Sequence, residues 1–459
     1  LNNAWLSLIP SLITIVAAIW SKKILPSLLF GLLIGSYFLN PSVIGGFETM
    51  VGSIVKTLSD KNNLQVLLFL YLFSGFIALI RKAGGIKAFS VFVAKFVKSD
   101  RGVFYTLWAL LPITFIDCGF RIVGTGSITR SLAEKNKISK ERFAFMLNNT
   151  ASPVVELIPV ATTFVGFNIA NIGLGLNAAG VTDKPYDIWL HAIPYEFFSI
   201  IVLILTFVSI FYQWKLGTAA HEAHAAPEKA HGAMAMDKKM EDDKPEISPR
   251  IINLLTPMIS VTALSVFFFW YFNEEPNKAM LVALFFSLLV TGAIYFFQKY
   301  SIASMTKDLI SGGNDLMGVI AILVVAWSLG AVSQELHLAR FIQEQLGGTM
   351  PAWSIPVSLF VFSSAVTYFM GSGWAAASLI MPFAISLAVT TGAGIPICVG
   401  AVITGGTFGD VTSPVAGMTN MASHAARADH MKYLKYANPY NFAALILAAV
   451  VYLAFGLMR

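Results

Sequence analysis

The sequence predicts an all-α polytopic membrane protein made of two inverted-topology repeats, each with about five transmembrane helices, a re-entrant hairpin and a discontinuous helix. Three observations lead there. Of 459 residues, 56% are hydrophobic and 12% are charged, about half the ~25% charged share of a soluble domain. Apolar runs long enough to cross a bilayer recur along the whole chain. The order of apolar, amphipathic and glycine-broken stretches before residue 217 recurs after residue 250. The net charge of +6 does not suggest a nucleic-acid partner, because Lys and Arg gather in short loops between apolar runs, as cytoplasmic loops do. The two cysteines, Cys118 and Cys398, stand in apolar surroundings and make no disulfide framework.

The first apolar run, residues 4–20, ends at Lys22-Lys23 without a small-residue cleavage signature, so it is expected to be a spanning helix and not a signal peptide. It pairs with 251–272, and 24–39 pairs with 279–298. Two amphipathic stretches too polar to span, 46–58 and 304–316, are assigned to the interface. A third span follows in each half, 64–80 and 317–334, then an amphipathic stretch, 86–97 or 336–346. Long glycine-interrupted regions come next, and their steps align: GTGSITRSL from Gly124 with GSGWAAASL from Gly371, and NNTASPVVE from Asn148 with GDVTSPVAG from Gly409. Each half closes with a span, 188–214 and 433–457. Between the halves, residues 217–250 are rich in Ala, His and charge with no apolar face, which predicts a solvated linker. Its HEAH string, His221 and His224, falls one residue short of the zinc-protease spacing, and with His231 offers at most weak metal affinity.

Charge sets the orientation. Lys22-Lys23, Arg81-Lys82, Lys87, the run TRSLAEKNKISKER and Lys215 are expected on the cytoplasmic side, as are Lys299, Lys307, Arg427, Lys432 and Lys435. Residues 102–132 then begin and end on the same side, which a hairpin can do and a single crossing cannot. Residues 351–387 are the matching hairpin, entered from outside, with its tip near residues 370–373. The resulting domains are 1–216, a first repeat with a broken helix at about 142–166; 217–250, the cytoplasmic linker; and 251–459, a second repeat with a broken helix at about 394–421. Both termini fall outside, in a bacterial inner membrane.

Four interruptions, DCGFRIVGTGS, YFMGSGW, LNNTASP and GGTFGDVTSP, are expected to converge near mid-depth. Asp117 and Arg121 amid glycines are costly in lipid unless they face protein or water. Each broken helix carries Ser-Pro, and proline removes an amide donor and frees a carbonyl one turn back. Carbonyls with Asn, Thr, Ser and Asp oxygens suit a hard cation such as Na⁺ or H₃O⁺. For Asp117 the structural alternative is an (i, i+4) pair with Arg121; for Asp410 it is capping of the half-helix after its break. Ser152-Pro153 and Ser413-Pro414 are expected to shape their helices more than to ligate. His191 and Glu196 are expected at the outer interface. No His or Cys cluster in the spans provides an enzyme's nucleophile or metal set, so an enzyme is not expected, and no cofactor beyond the transported ions.

The run IDCGFRIVGTGSITRSLAEKNKISKERFAFMLNNTASP and the later GGTFGDVTSPVAGMT resemble the NhaC-type Na⁺/H⁺ antiporter family over nearly all of both halves, the linker excepted. The resemblance implies inverted repeats with paired hairpins, usually in homodimers, and exchange of Na⁺ for H⁺; some members exchange malate with lactate or move other small organic solutes. The chain departs from the family where Arg121 replaces an Asn, Asn148 an Asp, Val411 a Lys, and Ala416-Gly417 a Ser-Asp; a second Asp beside Asp117 is also missing. On this reading Asp117 and Asp410 bind the ion, with Asn149, Thr150, Thr412 and Ser413 completing its oxygen shell. The alternative is an ion-coupled carrier of a small organic acid or amino acid. Arg121 would hold the carboxylate, and Thr125, Ser127, Asn148, Glu156, Ser372 and Thr407 would line the substrate site.

Overall fold

A computed structural model of the chain describes residues 4–21, 23–94, 99–115, 117–159, 162–211, 246–271, 276–337 and 350–458. Most of the linker, with its histidines, lies outside these residues, as does most of the amphipathic stretch at 336–346. Among the described residues the chain is helical with no strand. Seven helices are long and apolar enough to cross a membrane, and nine if each of two bent pairs counts as one span.

The first half runs α1 (Ile9–Ser21), α2 (Ile24–Leu39), α3 (Val43–Ser59), α4 (Lys61–Lys82) and α5 (Gly85–Ala94). Then come the segmented helices α6 (Asp100–Ala109), α7 (Leu111–Thr114), α8 (Cys118–Lys135), α9 (Lys140–Asn149), α10 (Ser152–Glu156) and α11 (Thr163–Ala178), and finally α12 (Pro185–Ala192) and α13 (Phe197–Val208). The second half comprises α14 (Ile252–Tyr271), α15 (Pro276–Phe297), α16 (Ile302–Asp315), α17 (Met317–Glu335), α18 (Ile355–Met370), α19 (Gly373–Thr391), α20 (Ile395–Thr412), α21 (Gly417–Ala425) and α22 (His430–Leu457). The chain turns by 117° between α2 and α3, so α3 leaves the direction of the preceding span. Ser42 caps α3 by accepting the Gly45 amide at 2.9 Å.

Helix packing is reciprocal between the halves. The α1–α2 pair has its counterpart in α14–α15. Helix α4 lies against α15 and α16, while α17 lies against α2 and α3. Helix α8 packs on α21, and α19 packs on α11. Likewise α22 meets α9, and α13 meets α20. Each half therefore completes the other's core.

The α18–α20 contact is the most extensive between two of the described helices. Gly405 and Gly409 sit one turn apart on α20, the small-xxx-small spacing that lets helix backbones approach in a membrane. A Cβ on Gly409 would stand 2.1 Å from Thr367 Cγ2 and 2.7 Å from its carbonyl carbon. Gly409→Ala is therefore expected to push α20 off α18, costing about 1–3 kcal/mol by overpacking; a lower thermal midpoint in detergent measures it.

Candidate functional site

The hairpin breaks fall where glycine and charge interrupt the apolar pattern. In the first, Asp117 has extended backbone (φ −153°, ψ 142°) and caps α8. Its Oδ1 accepts the Phe120 amide at 2.8 Å, and Oδ2 accepts the Thr163 hydroxyl at 3.3 Å. In the second, Gly371 ends α18 with φ +72°, a left-handed turn that favours glycine. A Cβ there would meet the Val415 carbonyl carbon at 2.8 Å, so the tip presses against the break after α20. Ser372 then caps α19, accepting the Ala375 amide at 3.3 Å. The first amides of a helix have no acceptor within the helix and need one from a side chain or from water.

Asp410 supplies one of them. Helix α20 continues through Thr412, and its break spans Ser413 to Ala416. Asp410 does not cap the half-helix beyond that break, the structural alternative drawn from sequence. Its Oδ1 instead accepts the Gly373 amide at 3.1 Å. Each carboxylate thus sits on the start of the helix that follows a break, Asp117 on its own helix α8 and Asp410 across on α19.

Both line one cavity of about 540 Å³, which also takes in Ser152, Thr163 and Ser372, a size usual for small-molecule sites. Ser152 was expected to shape its helix more than to ligate. Its buried hydroxyl lies against the Asp410 and Cys118 side chains but meets full hydrogen-bond geometry with none of the described residues. An unsatisfied buried hydroxyl costs about 1–3 kcal/mol, which a ligand in the cavity would relieve. Phe120, Trp374, Met418 and Met421 form the apolar wall, with Trp374 held 4.4 Å from the Phe167 ring. Arg81 and the exposed Asp315 line the cavity at its α4 and α16 end.

The remaining expected residues fall elsewhere. Arg121 is 0% exposed and pairs neither with Asp117 nor with the cavity. Its Nη1 donates to Thr114 Oγ1 at 2.7 Å, its Nη2 to the Leu107 carbonyl at 3.1 Å, and its Nε to the Thr150 carbonyl. It ties together carbonyls at the breaks in α6–α7 and α9–α10 and lies away from the cavity. The residues expected to complete the oxygen shell do not line this cavity. Asn149 Nδ2 donates to Asn441 Oδ1 at 2.7 Å. Thr150 and Thr412 bond back to carbonyls of their own helices, and Ser413 donates to the Tyr368 carbonyl at 2.6 Å. Thr125 likewise bonds to the Arg121 carbonyl. Asn148 Nδ2 donates to Tyr433 Oη at 2.8 Å and to the Asp410 carbonyl at 3.4 Å, which places it behind the site. Glu156 and Thr407 bond to each other away from the cavity lining, and the Ser127 side chain lies outside the described residues. Glu196, expected at the interface, is 0% exposed.

Sequence reasoning missed Thr163 and Arg81. Thr163 follows Thr162, which caps α11 through the Val165 amide at 3.2 Å, so its place at a helix start was the available signal. Arg81 carried only the signal of a loop charge.

Apolar helices of membrane-spanning length, broken around a cavity that two carboxylates line, fit a multi-pass membrane transporter. Comparison with known proteins agrees. Residues 154–457 match the Na⁺/H⁺ antiporter family, and the chain belongs to that family. An uncharacterized protein of Haemophilus influenzae is 24% identical over 485 aligned positions, 99% of this chain and 91% of the relative. An uncharacterized Na⁺/H⁺ antiporter of the same organism is 27% identical over 138 positions, 30% of this chain and 28% of its own. Among solved structures, Neisseria gonorrhoeae MtrF, described within a class of antimetabolite efflux pumps, superposes with a TM-score of 0.59 at 13% identity, covering 89% of this chain and 84% of that one. The Alcanivorax borkumensis YdaH transporter, described as having an unusual topology, gives 0.58 at 14% identity, covering 89% and 88%. These two share the fold.

Proposed function

We propose that the protein is a Na⁺/H⁺ antiporter of the bacterial inner membrane that works by alternating access, with Na⁺ and H⁺ competing for Asp117 and Asp410. The observation that carries this reading is that one carboxylate from each half lines a single cavity, beside the unsatisfied Ser152 hydroxyl and the Ser372 and Thr163 oxygens. Hard oxygen donors of this kind suit Na⁺. A carboxylate that can hold either a proton or a cation lets one displace the other. The reciprocal packing supports two repeats of inverted topology, and rocking of the hairpins and broken helices against the outer spans would move the site between faces. The positive-inside bias puts Arg81 at the cytoplasmic end of α4, so the cavity would be open inward and both termini outside.

The cavity's volume and its wall of Phe120, Trp374, Met418 and Met421 favour a second reading, a Na⁺-coupled carrier of a small organic solute. In it Arg81, not Arg121, is the guanidinium beside the site. Everted vesicles separate the two. Antiport gives Na⁺- or Li⁺-driven dequenching of a pH dye with no organic solute present. Dequenching that appears only with an added organic acid or amino acid moves the assignment to the second reading.

A further inference from the structure

A second polar cluster lies beyond the cavity. Glu196 opens α13 after a 44° bend between the α12 segment and α13. Its side chain is 0% exposed, and neither carboxylate oxygen has a hydrogen-bond partner among the described residues. It is close enough to Glu156 for the two charges to interact through space. Glu156, 1% exposed at the end of α10, accepts the Ser199 hydroxyl at 3.1 Å and the Thr407 hydroxyl on Oε2. Among the described residues neither glutamate forms an ion pair with a Lys, Arg or His. The titratable groups facing them are Asp410 from α20, Tyr452 from α22 and Cys118 from α8.

These groups form a line. Thr404, Thr407 and Asp410 recur every three residues along one side of α20, covering about 9 Å at 1.5 Å per residue. Thr404 shares a hydrogen bond of 3.0 Å with the Tyr452 hydroxyl, which donates to the Tyr195 carbonyl beside Glu196. The line starts at the cavity and runs toward the beginning of α20, away from the end of the cavity that Arg81 lines. Two adjacent buried carboxylates without a countercharge must hold a proton or a cation between them. Neither lines the cavity.

We propose that Glu156 and Glu196 are a proton relay joining Asp410 to the face of the membrane opposite the cavity mouth. The step is a transfer of one proton. The proton passes through an intervening water: the O–H bond of one carboxylic acid breaks as the water accepts its proton and gives one of its own to the other carboxylate, no electrons change hands, and the next proton or a sodium ion at Asp410 restores the charge. Helical hydroxyls of Ser199 and Thr407 position Glu156 for it.

The relay rests on the antiport reading, and two transport modes in proteoliposomes keep their failures apart. Self-exchange of radioactive sodium at equal pH reads the sodium site alone; sodium movement driven by a pH gradient reads proton coupling. Glu196→Gln and Glu156→Gln are expected to keep self-exchange within about twofold and to lower gradient-driven movement at least about tenfold. Wild-type protein that shows self-exchange without any response to pH overturns antiport. Wild-type response to pH that survives intact in Glu196→Gln overturns the relay. Infrared difference spectra on acidification supply a reading independent of transport: a carboxylic-acid band lost in each Gln variant is expected, and its absence from the wild type overturns the relay whatever the vesicles show.

Discussion

Asp410→Asn and Asp117→Asn are each expected to abolish sodium-driven proton movement in everted vesicles, with sodium affinity falling by at least about a hundredfold. Replacing one partner of a buried charge contact removes about 3–5 kcal/mol, and about 2.7 kcal/mol already accounts for a hundredfold. The amide keeps the shape of each side chain and its oxygen still accepts the Phe120 or Gly373 amide, so the helix starts they cap should persist. Unchanged thermal stability with lost transport separates the charge from the cap. A loss of stability equal in both variants, with transport retained in the folded fraction, would make these carboxylates caps alone.

Arg121→Met is expected to act in the opposite way. It leaves the Leu107 and Thr150 carbonyls and the Thr114 hydroxyl without their donor. Each such bond within a membrane protein contributes about 0.6–1.7 kcal/mol, giving roughly 2–5 kcal/mol in all. The thermal midpoint should fall by several degrees and the yield with it, while sodium affinity of the folded fraction stays within about threefold. Arg121→Lys should not rescue stability, because a point charge cannot replace three donors fixed in a plane. Normal stability with a selective loss of transport would return Arg121 to the role of substrate clamp.

Much of the architecture was legible in the sequence because it is written in local chemistry. Glycines, prolines and the lone charges mark each helix break, and the observed breaks at Asp117, Gly371–Ser372, Thr150–Ala151 and Ser413–Ala416 lie within the stretches expected. The presence of Asp117 and Asp410 at one cavity followed from the same marks. The direction each side chain takes did not, because it depends on partners far along the chain. Asn149 faces Asn441, 292 residues away, and does not line the cavity. Arg121 looked like a ligand because an unpaired guanidinium in lipid is costly; its partners are carbonyls, which carry no signal in the sequence. Glu196 was placed at the interface, with His191, by its position near the outer end of a span; His191 is exposed there and bonds to the Asp187 carbonyl at 2.7 Å. The bend before α13 turns the glutamate inward.

Binding of radioactive sodium to the purified protein, compared among wild type, Asp117→Asn and Asp410→Asn, asks whether the two halves share one ion. A joint site gives saturable binding in the wild type that disappears in either variant, since each removes half of the same charge pair. Sodium bound with wild-type affinity by either variant would mean that the carboxylates serve separate sites, and that the cavity between the hairpin tips is not where the cation is held.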